Sequence, residues 1–238
     1  MKNTLHWTTG LLAALLALGA GAQEATIRKN LAERLPQLPA INEVSKTPIP
    51  GLFEIRVNDN DIYYTDAEGN YLIQGSLIDV RQRRNLTEER VEKLLAIDFS
   101  SLPLKDAFTV VRGNGQRKMA IFSDPNCGYC KRIERDLARL DNVTIHVFLY
   151  PVRGPGSTEK SRLVWCSRDR AKAWLDLMLK EQMPTAAACD TAPIARNLAF
   201  GQKHKIQGTP TLLFADGSRV PGAVDAGQIE KQLAATTR

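Results

Sequence analysis

Cys127-Gly128-Tyr129-Cys130 places two thiols one helical turn apart, directly after the apolar run Met119-Ala120-Ile121-Phe122. Three chemistries use that spacing: half of a zinc site, a short structural staple, or thiol–disulfide exchange. A zinc site wants a second close pair, whereas Cys166 and Cys189 are 23 positions apart and the histidines within reach along the chain are His146 and His204. Four cysteines around one metal remain geometrically possible. A staple across so short a loop gains little, because the loop-entropy contribution grows with loop length. Exchange fits the residues best.

Exchange requires a thiolate. A cysteine in the first turn of a helix meets unpaired N–H groups and the positive end of the helix dipole, which stabilise an anion, and Cys127 is expected there, with Asn126 as the N-cap. Cys130, in line with Ile133, Leu137 and Leu140, falls on the face that packs against a sheet. The reading is therefore an exposed attacking Cys127 and a shielded resolving Cys130. Cys166 and Cys189 flank a segment containing Trp174, Leu175, Leu177 and Met178 and are read as a structural disulfide, for which the loop-entropy estimate is roughly 3.4 kcal/mol. The rival reading of that pair is a second redox couple or two free thiols.

The elements that must position Cys127 follow from periodicity. Residues 118–123 read as a strand, 127–140 as a helix and 143–149 as a second strand, a βαβ unit that implies a parallel pair. A helical block over 158–180 and 193–205 comes next, then a strand at 211–214, the turn Asp216-Gly217, a short strand at 219–221 and a last helix near 228–234. Gly208-Thr209-Pro210-Thr211 precedes the strand at 211, a place where proline breaks no ladder.

Upstream the chain is built differently. A short helix is expected over 25–36, then an antiparallel meander through 52–57, 62–65 and 71–73 that continues to about Val80. Asn85 and Glu88 make a cap-like start for a helix to about Ile97, read as a semi-rigid linker, with a packed helix in either domain as the alternative. The division expected is 1–22, 23–82, 83–104 and 105–238.

Residues 1–22 carry Lys2, the run Leu11-Leu12-Ala13-Ala14-Leu15-Leu16-Ala17-Leu18 and Ala20-Gly21-Ala22, the order of a secretory signal peptide cleaved after Ala22. The apolar stretch, about 13 residues, is short of the roughly 20 that span a bilayer, so no stable membrane insertion is expected. Export matters because thiols outside a reducing cytosol either pair or do redox work. The net charge of +6 falls to +5 once Lys2 is removed. Basic residues interleave with acids, as in Glu88-Glu89-Arg90-Val91-Glu92-Lys93, and no nucleic-acid partner is expected. A hydrophobic fraction of 43% with 24% charged is that of a globular protein rather than a disordered one.

Taken together, the leader, the small N-terminal β region, the linker helix, the Cys127-Gly128-Tyr129-Cys130 motif, the Thr209-Pro210 loop and the second cysteine pair resemble the DsbC family of bacterial periplasmic disulfide isomerases over nearly the whole chain. The Gly-Tyr dipeptide between the cysteines separates this pattern from the Pro-His of DsbA oxidases and the Pro-Tyr of DsbG relatives. One departure is Asn126, where the family carries Thr.

The resemblance implies an α+β N-terminal dimerisation domain joined by a linker helix to an α/β thioredoxin-like domain with a helical insertion. It implies that Pro210 is cis, that Gly128, Tyr129, Thr209 and Pro210 contact substrate, and that the Thr209 backbone pairs with an extended chain beside Cys127. It further implies a Gram-negative periplasmic homodimer acting on misfolded, disulfide-containing exported proteins, kept reduced by a membrane reductase of the DsbD type, with chaperone activity and no cofactor or metal. The rival functions are a net thiol oxidase, a DsbG-like reductase or chaperone, and a holdase for which the cysteines are incidental.

Overall fold

The computed structural model describes residues 8–185 and 187–236, with side chains from Gly21 onward. The first seven residues of the leader expected over 1–22, and its side chains through position 20, lie outside the described residues. No helix among the described residues is long and apolar enough to cross a membrane. The chain divides into two compact units after Leu94.

The N-terminal unit opens with α1 (Thr8–Arg34), which starts well upstream of the expected position 25; leucine and alanine, the best helix formers, fill its first half. A four-stranded antiparallel sheet follows in the order β1 (Ile41–Lys46), β2 (Leu52–Val57), β3 (Asp61–Asp66) and β4 (Leu72–Ile73). Alternation along β2 buries Phe53, Ile55 and Val57. Phe53 and Ile55 pack with Ile27 and Leu31 of α1. The β3–β4 turn is also tied to the helix: Asn30 Nδ2 donates to the Glu68 carbonyl at 2.7 Å and Arg34 Nη1 to that of Gly69 at 2.8 Å. Gly69 sits there at φ +63°, with no room for an unshifted side chain beside Leu31.

A two-stranded ribbon, β5 (Ile78–Asp79) and β6 (Arg84–Asn85), leads into α2 (Leu86–Leu95). Asn85 Oδ1 accepts from the Glu88 N–H at 3.2 Å, the cap its spacing suggested. No residue of α2 is fully buried. Polar contacts tie it to the sheet instead: Arg90 bridges Glu43 of β1 at 2.7 Å and Glu54 of β2 at 2.9 Å, and Thr87 hydrogen-bonds Tyr64 of β3.

The C-terminal unit is a five-stranded sheet in the order β11 (Arg219–Pro221), β10 (Thr211–Phe214), β8 (Arg117–Ser123), β9 (Val143–Leu149) and β7 (Phe108–Arg112). Only β8 and β9 are parallel, joined by α3 (Gly128–Leu137) as the βαβ reading requires. β7 and the pairing of β1 were not anticipated. Both are outer strands; β1 folds back on the strand that follows it, whereas the partner of β7, β9, lies more than 30 residues further on.

Both faces of this sheet are covered, so β8 is buried from Met119 onward and β9 from Ile145 onward. On one face Met119, Ile121, Ile145 and Val147 meet Cys130, Ile133 and Leu137 of α3 and Trp174 and Leu177 of α5 (Arg170–Lys180). On the other, Phe122 stacks on Phe148 at 4.7 Å and on Phe200 of α6 (Ala192–Lys203) at 5.8 Å. Gly201 of α6 lies against the Tyr150 ring, where an added Cβ would come within 2.4 Å of a ring carbon.

The helical block expected over 158–180 is split. α4 (Pro155–Trp165) ends at Cys166, and Asp169 caps α5 by accepting from the Lys172 N–H at 2.9 Å. Cys166 is disulfide-bonded to Cys189, with 5.6 Å between their Cα atoms. α7 (Ala226–Ala235) closes the unit, held at its start by a capping box between Asp225 and Gln228.

Candidate active site

Ser123 ends β8, and three residues later the chain turns into α3. The turn is built around the carboxylate of Asp124, which is fully buried. Its Oδ1 accepts from the Asn126 N–H at 2.7 Å and from the Ser157 hydroxyl at 2.8 Å; its Oδ2 accepts from the N–H groups of Val152 at 2.8 Å and Arg153 at 3.0 Å. Four donors compensate the desolvation of the charge. They also fasten the approach to Cys127 to the segment that follows β9.

The residue at the N-cap is Cys127 itself, with extended backbone angles of φ −82° and ψ 117°, and not Asn126 as expected. The Asn126 side chain is engaged elsewhere, its Oδ1 accepting from Lys160 Nζ of α4 at 2.6 Å. The helix begins with the Lys131 N–H donating to the Cys127 carbonyl at 3.0 Å.

Cys127 is also not exposed. Both cysteines are free thiols with no accessible surface, while Gly128 is exposed and Tyr129 is 62% exposed. The cover over Cys127 is the Thr209–Pro210 loop, whose peptide bond is cis. The Cys127 thiol donates to the Thr209 carbonyl at 3.3 Å. Pro210 is buried and its carbonyl accepts from the Gly222 N–H at 2.8 Å, which fixes the loop to the strand that follows. Cys127, Cys130, Thr209 and Pro210 thus come together. His146 points to the opposite face of the sheet, edge-on to Phe99, and the His204 ring lies on Phe200 at 4.2 Å.

The two thiols differ in acidity. Burial by itself raises Cys127, but donation from Thr209, from the Cys130 thiol and from the N–H groups of Cys130 and Tyr129 outweighs it and holds the thiol below its ordinary value. In the resting thiol form the buried Thr209 hydroxyl makes no hydrogen bond, and it is placed to donate once Cys127 is charged. Cys130 is pushed up to about 12, first by burial, with the charge of a Cys127 thiolate adding to it, against donation from Ser123 and the Asp124 N–H. Cys127 therefore ionises first, and Cys130 keeps its proton.

Glu134, one turn beyond Cys130, was missed by sequence reasoning. It is 3% exposed and its Oε1 accepts from Trp174 Nε1 at 2.7 Å. Burial raises its carboxyl to about 7, the Trp174 donor and the Arg112 charge pulling the other way. A carboxyl raised in the fold contributes stability that is present below its unfolded value of about 4.3 and is lost as pH rises through 7. Glu134→Gln keeps the acceptor and removes the charge. It should raise unfolding free energy at pH 8 on the order of 2–3 kcal/mol and leave it nearly unchanged at pH 4; equal urea midpoints for variant and parent at pH 8 would refute this.

A βαβ-borne thiol pair under a cis-proline loop defines a thioredoxin-like disulfide oxidoreductase, and a thioredoxin-like domain model matches residues 104–237. The model for the N-terminal domain of disulfide bond isomerase proteins matches residues 19–88. The chain belongs to the DsbC family. It is 42% identical over 211 residues to a probable thiol:disulfide interchange protein DsbC of Bordetella parapertussis, covering 89% of this chain and 74% of that one. It is 27% identical over 221 residues to the Escherichia coli K12 thiol:disulfide interchange protein DsbC, covering 89% of each. A crystal structure of a disulfide interchange protein from Neisseria gonorrhoeae superposes with a TM-score of 0.55 at 37% identity, covering 58% of this chain and 99% of the other.

Proposed function

We propose that this thiol–disulfide exchange enzyme acts as an isomerase, with Cys127 as nucleophile and Cys130 as the resolving thiol. The supporting observation is the acidity gap between two adjacent buried thiols beside the Thr209 carbonyl. The Cys127 thiolate attacks one sulfur of a substrate disulfide, forming a Cys127–substrate bond and releasing the other substrate sulfur as a thiolate. That thiolate attacks a different substrate disulfide, and the thiolate freed in that step attacks the mixed disulfide at its substrate sulfur, so that a new substrate disulfide forms and Cys127 leaves as the thiolate it began as. No net oxidation occurs. If rearrangement stalls, Cys130 attacks Cys127, the substrate leaves reduced, and the enzyme is left as a disulfide to be reduced again.

An extended substrate segment pairs with the Thr209 backbone, displacing the thiol's hydrogen bond there, while exposed Gly128 and Tyr129 form the rim. The Cys166–Cys189 bridge is structural, closing the α4 end onto the segment before α6. The chain works as a periplasmic homodimer through its N-terminal domain, with chaperone activity, and a membrane reductase of the DsbD type keeps Cys127 and Cys130 reduced. The match of that domain to the isomerase N-terminal model favours isomerisation over net oxidation.

The test is recovery of activity from a scrambled multi-disulfide protein mixed with the pre-reduced chain. Catalysed recovery supports the isomerase. Slow recovery, combined with rapid oxidation of a reduced substrate by the disulfide form, would assign the chain as an oxidase.

A further inference from the structure

Ser123 is the last residue of β8, and the twofold period of the strand places its side chain on the face of Met119 and Ile121. That is the face packed by Cys127 and Cys130. The serine is fully buried, and its hydroxyl has no hydrogen-bond partner in the resting enzyme. A buried hydroxyl without such a partner is costly to keep, and alanine or valine would fill a strand position on this face without that cost. The group it faces is the Cys130 sulfur, which the Asp124 N–H approaches as well. In the resting enzyme Cys130 is a thiol and has little need of donors. Only when it becomes a nucleophile does a charge develop there.

We propose that Ser123 is a further catalytic residue, its hydroxyl donating to the Cys130 thiolate in the step that frees a stalled substrate. The inference rests on Cys130 acting as the resolving thiol. In that step the Cys130 proton passes to solvent, the Cys130 thiolate bonds to Cys127 Sγ, the bond from Cys127 to the substrate sulfur breaks, and the substrate sulfur leaves as a thiolate that takes up a proton. A hydrogen bond to the charged sulfur raises the thiolate fraction but lowers its intrinsic nucleophilicity, so only about half of the gain, on a logarithmic scale, reaches the rate. Ser123 thereby sets how long a substrate stays bound before the enzyme abandons it.

The test uses the full chain, joined at Cys127 at acid pH to a cysteine peptide supplied as its 2-thiopyridyl disulfide. A jump to neutral pH then starts peptide release. Ser123→Ala should slow release roughly four- to fifteenfold. Ser123→Thr should restore the parent rate, and the similarly shaped Ser123→Val should not. The rate at which Cys127 is alkylated in the free enzyme and the melting temperature should not fall in any of them. Release from Ser123→Ala at the parent rate, or equal release from the threonine and valine variants, would overturn the role of the hydroxyl while Cys130→Ala, by blocking release, upheld the resolving thiol. Parent-rate release from Cys130→Ala would overturn both.

Discussion

Cys127→Ala is expected to lower the catalysed rate of disulfide reshuffling at least a hundredfold with the fold intact. The thiol left behind, Cys130, stays raised by burial, the largest cause of its low acidity, so at pH 7 a far smaller fraction carries its thiolate than the few per cent of an ordinary thiol. Higher intrinsic nucleophilicity recovers only part of that deficit. Burial under the helix then withholds Cys130 from a protein disulfide altogether. Cys130→Ala should behave differently, because Cys127 keeps the Thr209 hydroxyl and the helix N–H groups; it should still attack and should accumulate as a mixed disulfide. Initial rates of recovery for a scrambled substrate, with non-reducing gels of each variant, measure both. A Cys127→Ala chain retaining more than a tenth of parental activity would show that the nucleophile has been misassigned.

Phe122→Ala should be the most destabilising single truncation in the C-terminal unit, costing about 3–5 kcal/mol. The ring is fully buried at the centre of the sheet. It lies parallel to Phe148 and to Phe200 and meets Tyr150 edge-on at 5.6 Å, so its removal opens a cavity walled by three rigid rings that cannot all close on it. For a unit of this size the loss corresponds to roughly 10–15 °C in melting temperature. Urea unfolding followed by circular dichroism gives the value, and a loss under about 1.5 kcal/mol would mean that the rings repack.

The parts of this molecule written in local sequence were readable there. The βαβ unit, the thiol spacing and the Asn85 cap are such cases, since each depends on residues within one turn or one strand. What escaped depends on distant partners. Cys127 reads as exposed because a helix start normally is; the loop that covers it lies 82 residues away. Asn126 reads as a cap, but Lys160, 34 residues on, takes its oxygen. Asp124 gave no signal beyond an acid before a proline, because three of its four donors come from positions 152–157. β1 has few apolar residues, and β7 follows two turns of 3₁₀ helix, so neither announces itself by periodicity.

The unequal acidity of the two thiols also governs how the enzyme's electron affinity follows the pH of its surroundings. Closing a disulfide from two neutral thiols releases two protons, and the midpoint potential of such a pair falls about 59 mV for each pH unit. Above the Cys127 pKa and below about 12, one proton has already gone, a single one is released, and the fall is about 30 mV. In that range acidification makes the disulfide a stronger oxidant only half as steeply as it would for two ordinary thiols, and the balance between holding electrons and passing them on is buffered against the medium.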